Sequence, residues 1–134
     1  MFINKVAVFL IGGAAYQGIE ILWRGFTHPS MFFAGGLCLL AIDFINGIFG
    51  RKSVPFTAAL CGTVITIVEL AAGTVINVIM GMSVWDYSDV PFNFMGQICP
   101  VYTLLWILIS IPAIYICRLI EKASKSIFKS KGRP

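Results

Sequence analysis

Charged residues are scarce in this chain: of its 134 residues, 12% are Asp, Glu, Lys or Arg, while 58% are hydrophobic. Soluble domains carry about 25% charged residues, so the scarcity of charge excludes an ordinary water-soluble domain. A glycine-rich phosphate loop is also lacking, which excludes nucleotide hydrolysis by this chain alone. No nucleophile stands beside a recognisable general base. The composition therefore predicts an integral membrane protein whose apolar surface faces lipid.

Cysteine occurs four times but never as a C-x-x-C pair, at Cys38, Cys61, Cys99 and Cys117. The spacing of a metal site is absent, and we interpret these residues as small buried hydrophobes. The sequence accordingly predicts neither a bound metal nor another cofactor.

Four apolar stretches are long enough to cross a bilayer, which takes about 20 helical residues. They cover about 6–23, 30–50, 55–82 and 98–117. Because the connections are short, neighbouring helices should pack antiparallel. We predict an all-α membrane protein with four transmembrane helices in a compact antiparallel bundle. Residues 1–117 form this domain, and residues 118–134 form a basic cytoplasmic juxtamembrane tail.

Basic residues lie almost entirely on one side of this topology. Nine of the ten fall there, whereas Arg24 falls on the other side, with Asp86 and Asp89. Since basic residues in short loops stay cytoplasmic, both termini are predicted inside. We interpret the lysines of the tail as contacts to anionic lipid headgroups rather than to nucleic acid. These are Lys122, Lys125, Lys129 and Lys131.

Three acidic residues interrupt the apolar stretches, at Glu20, Asp43 and Glu69. A carboxylate is costly in lipid, so it faces protein or water and often marks an ion or proton pathway. In the four-span topology the three acids lie at the outer, inner and middle levels of the membrane respectively. Together with Asn46 and Asn77 they form a candidate intramembrane polar site.

The same acids also have a structural interpretation, as hydrogen-bonding groups that join helices. Glu20 is four residues before Arg24 and can pair with it. Glu69 has no cation nearby in the sequence, and Asn77 and Thr66 are its candidate partners. The sequence leaves the transport and the structural interpretations open.

A second polar cluster is predicted at the outer face of the membrane. It comprises His28, Arg24, Asp86 and Asp89, which are suited to binding a cation or a lipid headgroup. The alternative is that residues 85–93 are simply an anchored turn, with Trp85 and Tyr87 at the membrane interface.

Several short motifs together resemble one family. They are Arg24–His28, Gly35–Cys38, Glu69 with Asn77, Trp85–Ser88, Pro91–Asn93 and Gly96–Cys99. This combination is similar to small four-helix bacterial membrane proteins classed as putative ABC-transporter type IV (CmpB-like) permeases. The resemblance implies a multi-pass protein of the bacterial inner membrane. It also implies assembly as a homo-oligomer or with other membrane subunits, and a separate ATPase subunit.

Our prediction is a transporter or permease component for a small ion or solute, using the embedded carboxylates and contacting membrane lipids. One alternative is a non-catalytic membrane scaffold or accessory subunit. A second is a membrane-bound enzyme that acts at the outer face through His28, Asp86 and Asp89.

Overall fold

The computed structural model describes residues 2–132, and the chain is helical over most of this range. The four helices are α1 (Phe2–Arg24), α2 (Pro29–Phe49), α3 (Val54–Gly73) and α4 (Pro100–Lys131). A π-helical segment, Thr74–Ile79, extends α3. All four helices are long and apolar enough to cross a membrane. The predicted all-α bundle of four spans is confirmed, and the chain is a multi-pass membrane protein.

Proline opens three of the helices, lying in the first turn of α2, α3 and α4. Its missing N–H has no helical partner at that position, so it disrupts nothing there. The fourth helix continues to Lys131, beyond position 117 where the predicted span ends. The part of the basic tail from 118 to 131 is thus a continuation of α4.

Close contacts between glycines hold α1 against α2. A Cβ atom on Gly12 would lie 2.6 Å from the carbonyl oxygen of Gly35, and one on Gly35 would lie 2.7 Å from that of Gly12. Such small residues let helix backbones approach in lipid, where no hydrophobic force drives helices together. On α3, Gly62 gives Ile107 of α4 the same close approach. The core between the two hairpins includes Val8, Leu39, Ile42, Ile65, Trp106 and Ile114.

The antiparallel arrangement gives the bundle two different ends. The terminal end holds the start of α1, the connection at 50–53 and the last turns of α4. The loop end holds the connection at 25–28 and the long connection at 80–99.

The 80–99 loop folds back onto the bundle as an ordered cap. Asn77 fixes both of its arms, because its amide donates to Gln97 Oε1 (2.8 Å) and its Oδ1 accepts from Val84 N (2.7 Å). The Trp85 indole donates to the carbonyl of Gln97 (3.1 Å). Gly73 leaves the space on α3 that the Trp85 and Gln97 side chains occupy. The loop therefore closes one end of the bundle with side chains rather than lying loosely over it.

Candidate functional site

A cavity of about 400 Å³ lies at the loop end, between α1, α4 and the 80–99 loop. We call it the loop-end cavity. Helix α1 contributes Glu20 and Arg24 to its wall, and the loop contributes Asp86 and Tyr87. Much of the remaining wall is aliphatic or aromatic, as is typical of sites for small molecules. A few polar groups therefore converge on a space that is otherwise apolar.

Glu69 lies directly behind this cavity and is buried, with 8% of its surface exposed. Its carboxylate accepts a hydrogen bond from the Tyr87 hydroxyl (2.8 Å) and one from the Trp106 indole (2.9 Å). A second cavity of about 20 Å³, large enough for about one water, lies beside Glu69. Tyr16, Trp85 and Trp106 line both spaces. An aromatic wall thus separates Glu69 from the larger cavity.

Two stacked pairs of rings build much of this wall. Tyr87 stacks on Tyr102 with ring centroids 4.4 Å apart and an interplanar angle of 8°. Tyr16 stacks on Trp106 at 5.7 Å and 25°. Each pair joins different elements, so the wall holds its shape only while the loop and α1 stay packed against α4.

All three guanidinium nitrogens of Arg24 donate hydrogen bonds at the rim of the cavity. Its guanidinium donates to Glu20 Oε2 through Nη2 (2.6 Å) and Nε (3.2 Å), and to the carbonyl of Val84 through Nη1 (2.7 Å). It also lies over the ring of Phe26, 4.4 Å from the centroid. The spacing of Glu20 and Arg24 predicts that they pair, and the structure contains this pair. Arg24 additionally ties α1 to the loop through its bond to Val84.

Two loop residues have pKa values shifted by their surroundings. Burial, together with the nearby charge of Glu69 and the hydrogen bond to it, raises the pKa of Tyr87 well above its ordinary value. Its hydroxyl therefore stays protonated and donates to Glu69. Hydrogen bonds from the Ser88 side chain and backbone lower the pKa of Asp86, so this carboxylate stays ionised where it borders the cavity.

Two other members of the candidate intramembrane site, Asp43 and Asn46, lie at the terminal end. Asp43 forms a salt bridge with Lys5 of α1. Asn46 accepts a hydrogen bond from Arg118 of α4 (3.1 Å). The structure therefore brings Glu20 and Glu69 together beside the loop-end cavity and places Asp43 at the opposite end.

The candidate partners of Glu69 bind elsewhere. Asn77 supports the loop, and Thr66 shares a hydrogen bond with Thr103 (3.0 Å). Tyr87 and Trp106 are the actual partners, 18 and 37 positions away in the chain. Sequence reasoning gave Tyr87 an interfacial role and did not identify Trp106. The aromatic residues Trp85 and Tyr87 beside Asp86 could have indicated a site in this region. No fixed spacing in the sequence identifies Tyr87 or Trp106 as a partner of Glu69.

The proposed outer-face cluster is divided, because Arg24 and Asp86 line the loop-end cavity whereas His28 and Asp89 lie elsewhere. His28 caps α2, where its Nδ1 accepts from Ser30 N (3.2 Å). Asp86 borders the loop-end cavity, and Asp89 is an exposed turn residue. Across residues 2–132, no group of three His, Cys, Asp or Glu side chains is placed to hold a metal ion.

The tail lysines are exposed on the continuation of α4. Lys125 pairs with Glu121 one turn earlier, at 2.6 Å. This exposure leaves all four lysines, Lys122, Lys125, Lys129 and Lys131, accessible to lipid headgroups.

A family described as putative ABC-transporter type IV matches residues 14–132, which is most of the chain. No curated protein and no solved structure matches.

Proposed function

The chain belongs to the putative ABC-transporter type IV family, and from this premise we propose that it moves a small ion or solute through the loop-end cavity, with Glu69 as the key carboxylate. Family membership and four membrane-length helices support a membrane transporter-type component. The roles of the cavity and of Glu69 are our proposal beyond this support.

The observation that carries this proposal is the environment of Glu69. Both of its hydrogen-bond donors, Tyr87 and Trp106, are neutral. Within residues 2–132, the ion pairs involve Glu20, Asp43 and Glu121, and none involves Glu69. A carboxylate held in a membrane protein without a cation is costly, and such residues commonly belong to ion or substrate pathways.

The position of Tyr87 suggests how the cavity communicates with Glu69. Its ring faces the loop-end cavity, while its hydroxyl binds the carboxylate behind the wall. A rotation of this side chain would break its hydrogen bond to Glu69 and leave that carboxylate with Trp106 as its donor. We therefore assign Tyr87 as the side chain that links the loop-end cavity to Glu69 through the aromatic wall.

The exposed surface of the helices bears on the partners that we propose. No more than 28% of the most apolar window of any span is buried within the bundle. The rest must be covered by lipid or by other helices, and we propose a homo-oligomer or a complex with other membrane subunits. A separate ATPase subunit is proposed from family membership. We further propose that both termini are cytoplasmic, because the tail lysines would then meet anionic headgroups.

A structural role for Glu69 is the main competing explanation, since its two hydrogen bonds join the loop to α4. The test uses proteoliposomes placed in isosmotic solutions of a panel of solutes: alkali chlorides, amino acids, sugars and quaternary ammonium chlorides. Swelling reports permeation of any solute in the panel, so the substrate need not be identified first. We expect the wild-type protein to admit at least one solute and Glu69→Gln to abolish that permeation.

Asp43→Asn is the matched control, because it removes an embedded carboxylate at the terminal end and should leave permeation unchanged. Size-exclusion chromatography of both variants reports assembly. Permeation that survives in Glu69→Gln while the assembly falls apart would establish the structural role instead. If the wild-type protein admits no solute, alone or with the subunits that copurify from native membranes, the scaffold alternative replaces the transporter.

A further inference from the structure

The wall of the loop-end cavity contains most of the polar aromatic side chains of the protein. All three tryptophans and three of the four tyrosines line it. They are Tyr16, Trp23, Trp85, Tyr87, Tyr102 and Trp106. An aromatic ring is negative on its faces, so it attracts a cation placed over it.

The stacked pairs fix the orientation of four of these rings. In the Tyr87–Tyr102 pair and the Tyr16–Trp106 pair, one face of each ring covers its partner. The other face of each ring is not covered by its stacking partner. Because stacking limits the motion of the rings, a ligand that binds against them meets surfaces that are already positioned.

The charged groups of the wall give the cavity a negative excess. Glu20 and Asp86 are acidic, and Arg24 is the one basic residue of the lining. The guanidinium of Arg24 is already neutralised by Glu20 and is bound to the carbonyl of Val84. The ionised Asp86 therefore remains without a basic partner in the wall, and Glu69 lies just behind it. This arrangement favours a positively charged ligand and disfavours an anion.

The chemistry of the wall also distinguishes among cations. Mg²⁺ and Ca²⁺ need about six or more oxygen ligands in close array, and Zn²⁺ needs about three or four His, Cys or carboxylate ligands. No group of three His, Cys, Asp or Glu side chains placed to hold a metal ion occurs among residues 2–132. Rings and aliphatic side chains instead suit a weakly hydrated cation with an apolar body, as in the aromatic sites that bind quaternary ammonium groups.

We propose that the loop-end cavity binds a hydrophobic organic cation, such as a quaternary ammonium ion or a protonated amine with apolar substituents. The aromatic rings hold its apolar body, and Asp86 supplies the opposite charge. This assignment rests on the proposed function in that it names the substrate class of the same cavity.

Tryptophan fluorescence provides a direct test, because all three tryptophans line this cavity. The protein in lipid nanodiscs is titrated with benzyltrimethylammonium, with its neutral isostere neopentylbenzene and with the anion benzylsulfonate. Protein-free nanodiscs correct for partition of each probe into lipid. We expect a saturable change with the cation, and much weaker binding of the neutral and anionic probes.

Two substitutions locate the site. Asp86→Asn keeps an oxygen to accept from Ser88, and it should weaken binding of the cation about fivefold. Tyr102→Leu removes an aromatic face and should weaken it roughly threefold, while Tyr102→Phe should restore it. Tyr115→Leu is the matched control, because this half-exposed tyrosine lies on α4 outside the cavity.

Equal affinity for the cation and its neutral isostere would overturn the assignment. It would also be overturned if binding of the cation were unchanged in both Asp86→Asn and Tyr102→Leu. If Tyr102→Leu does not fold, Asp86→Asn and the neutral probe still decide the matter. Cation binding without permeation would retain this inference and remove the transport function, whereas permeation of other solutes without cation binding would do the reverse.

Discussion

The two ends of the bundle differ in how they hold one embedded acid each, Asp43 and Glu69. At the terminal end, Asp43 meets Lys5, whose side chain is 57% exposed. At the loop end, Glu69 accepts hydrogen bonds from the neutral donors Tyr87 and Trp106, and no ion pair within residues 2–132 involves it. The charge of Asp43 is balanced within the chain, while that of Glu69 is left for a proton or a ligand to balance. The surroundings of an embedded acid, rather than its presence, therefore separate a structural site from a candidate functional one.

The two ends also differ in packing, which is tighter at the terminal end. Near the terminal end the small side chains of Ala58, Cys61 and Cys117 are completely or almost completely buried. The loop end instead surrounds a cavity of about 400 Å³ with large rings. A site that admits a ligand has to sacrifice packing density, and the loop end is where this protein does so.

The largest predicted effect is that of removing the Glu69 carboxylate. Glu69→Leu leaves two donors without an acceptor, and each unsatisfied buried group costs about 1–3 kcal/mol. Asp43→Leu should cost less than about 1 kcal/mol, because its partner is largely exposed. Unfolding in mixed micelles, followed by circular dichroism, measures both. Equal losses for the two variants would remove the distinction between the ends.

The next largest effect concerns Gly73, where the 80–99 loop packs against α3. A Cβ atom on Gly73 would lie 2.9 Å from Cζ2 of Trp85, so Gly73→Ala should cost about 1–3 kcal/mol. Amide hydrogen exchange over residues 80–99 should rise. At the terminal end Gly47 has nothing within 4 Å of the same position, and Gly47→Ala should leave exchange unchanged. Unaltered exchange in Gly73→Ala would show that the loop is not held there.

The free energy of unfolding should depend on pH in the alkaline range because of a residue at the loop end. The pKa of Tyr87 is raised in the folded protein, so its contribution to stability is complete below the ordinary tyrosine pKa of about 10 and is lost as pH rises above it. The free energy of unfolding should fall by up to about 1.4 kcal/mol per pH unit in that range. Tyr87→Phe should flatten this slope, and tyrosinate absorbance should show one fewer late-titrating group. A slope that persists in Tyr87→Phe would assign it to another residue.

The smallest effect compares two acid–base pairs of identical spacing. Glu20–Arg24 is mostly buried, with side-chain exposures of 13% and 23%, whereas those of Glu121 and Lys125 are 52% and 76%. Glu121→Gln should cost about 0.3–0.5 kcal/mol, as exposed helical pairs do. Glu20→Gln should cost about 1 kcal/mol, because Arg24 also holds the loop. Chemical unfolding resolves the two, and a larger loss for Glu121→Gln would reverse the ranking.

Local spacing accounts for what could be predicted at the site. The Glu20–Arg24 pair follows from a separation of one helical turn, and the structure contains it. The Lys5–Asp43 pair spans 38 positions and joins two helices, so no local pattern indicates it. The partners of Glu69 depend on how the 80–99 loop folds back, and that path is set by Asn77, Gly73 and Gln97 acting together.

By itself the sequence determined the membrane location and the four helices, because lipid offers backbone polar groups no partner and an apolar helix bonds them all within its own segment. It also determined which side chains are chemically unusual in that setting, namely Glu20, Asp43 and Glu69. Tertiary structure alone decided that Glu20 and Glu69 share one end of the bundle and that Asp43 meets Lys5 at the other. The physical reason is that a helix fixes its own contacts over one turn, whereas the loop and the packing of α1 on α4 bring together residues far apart in the chain.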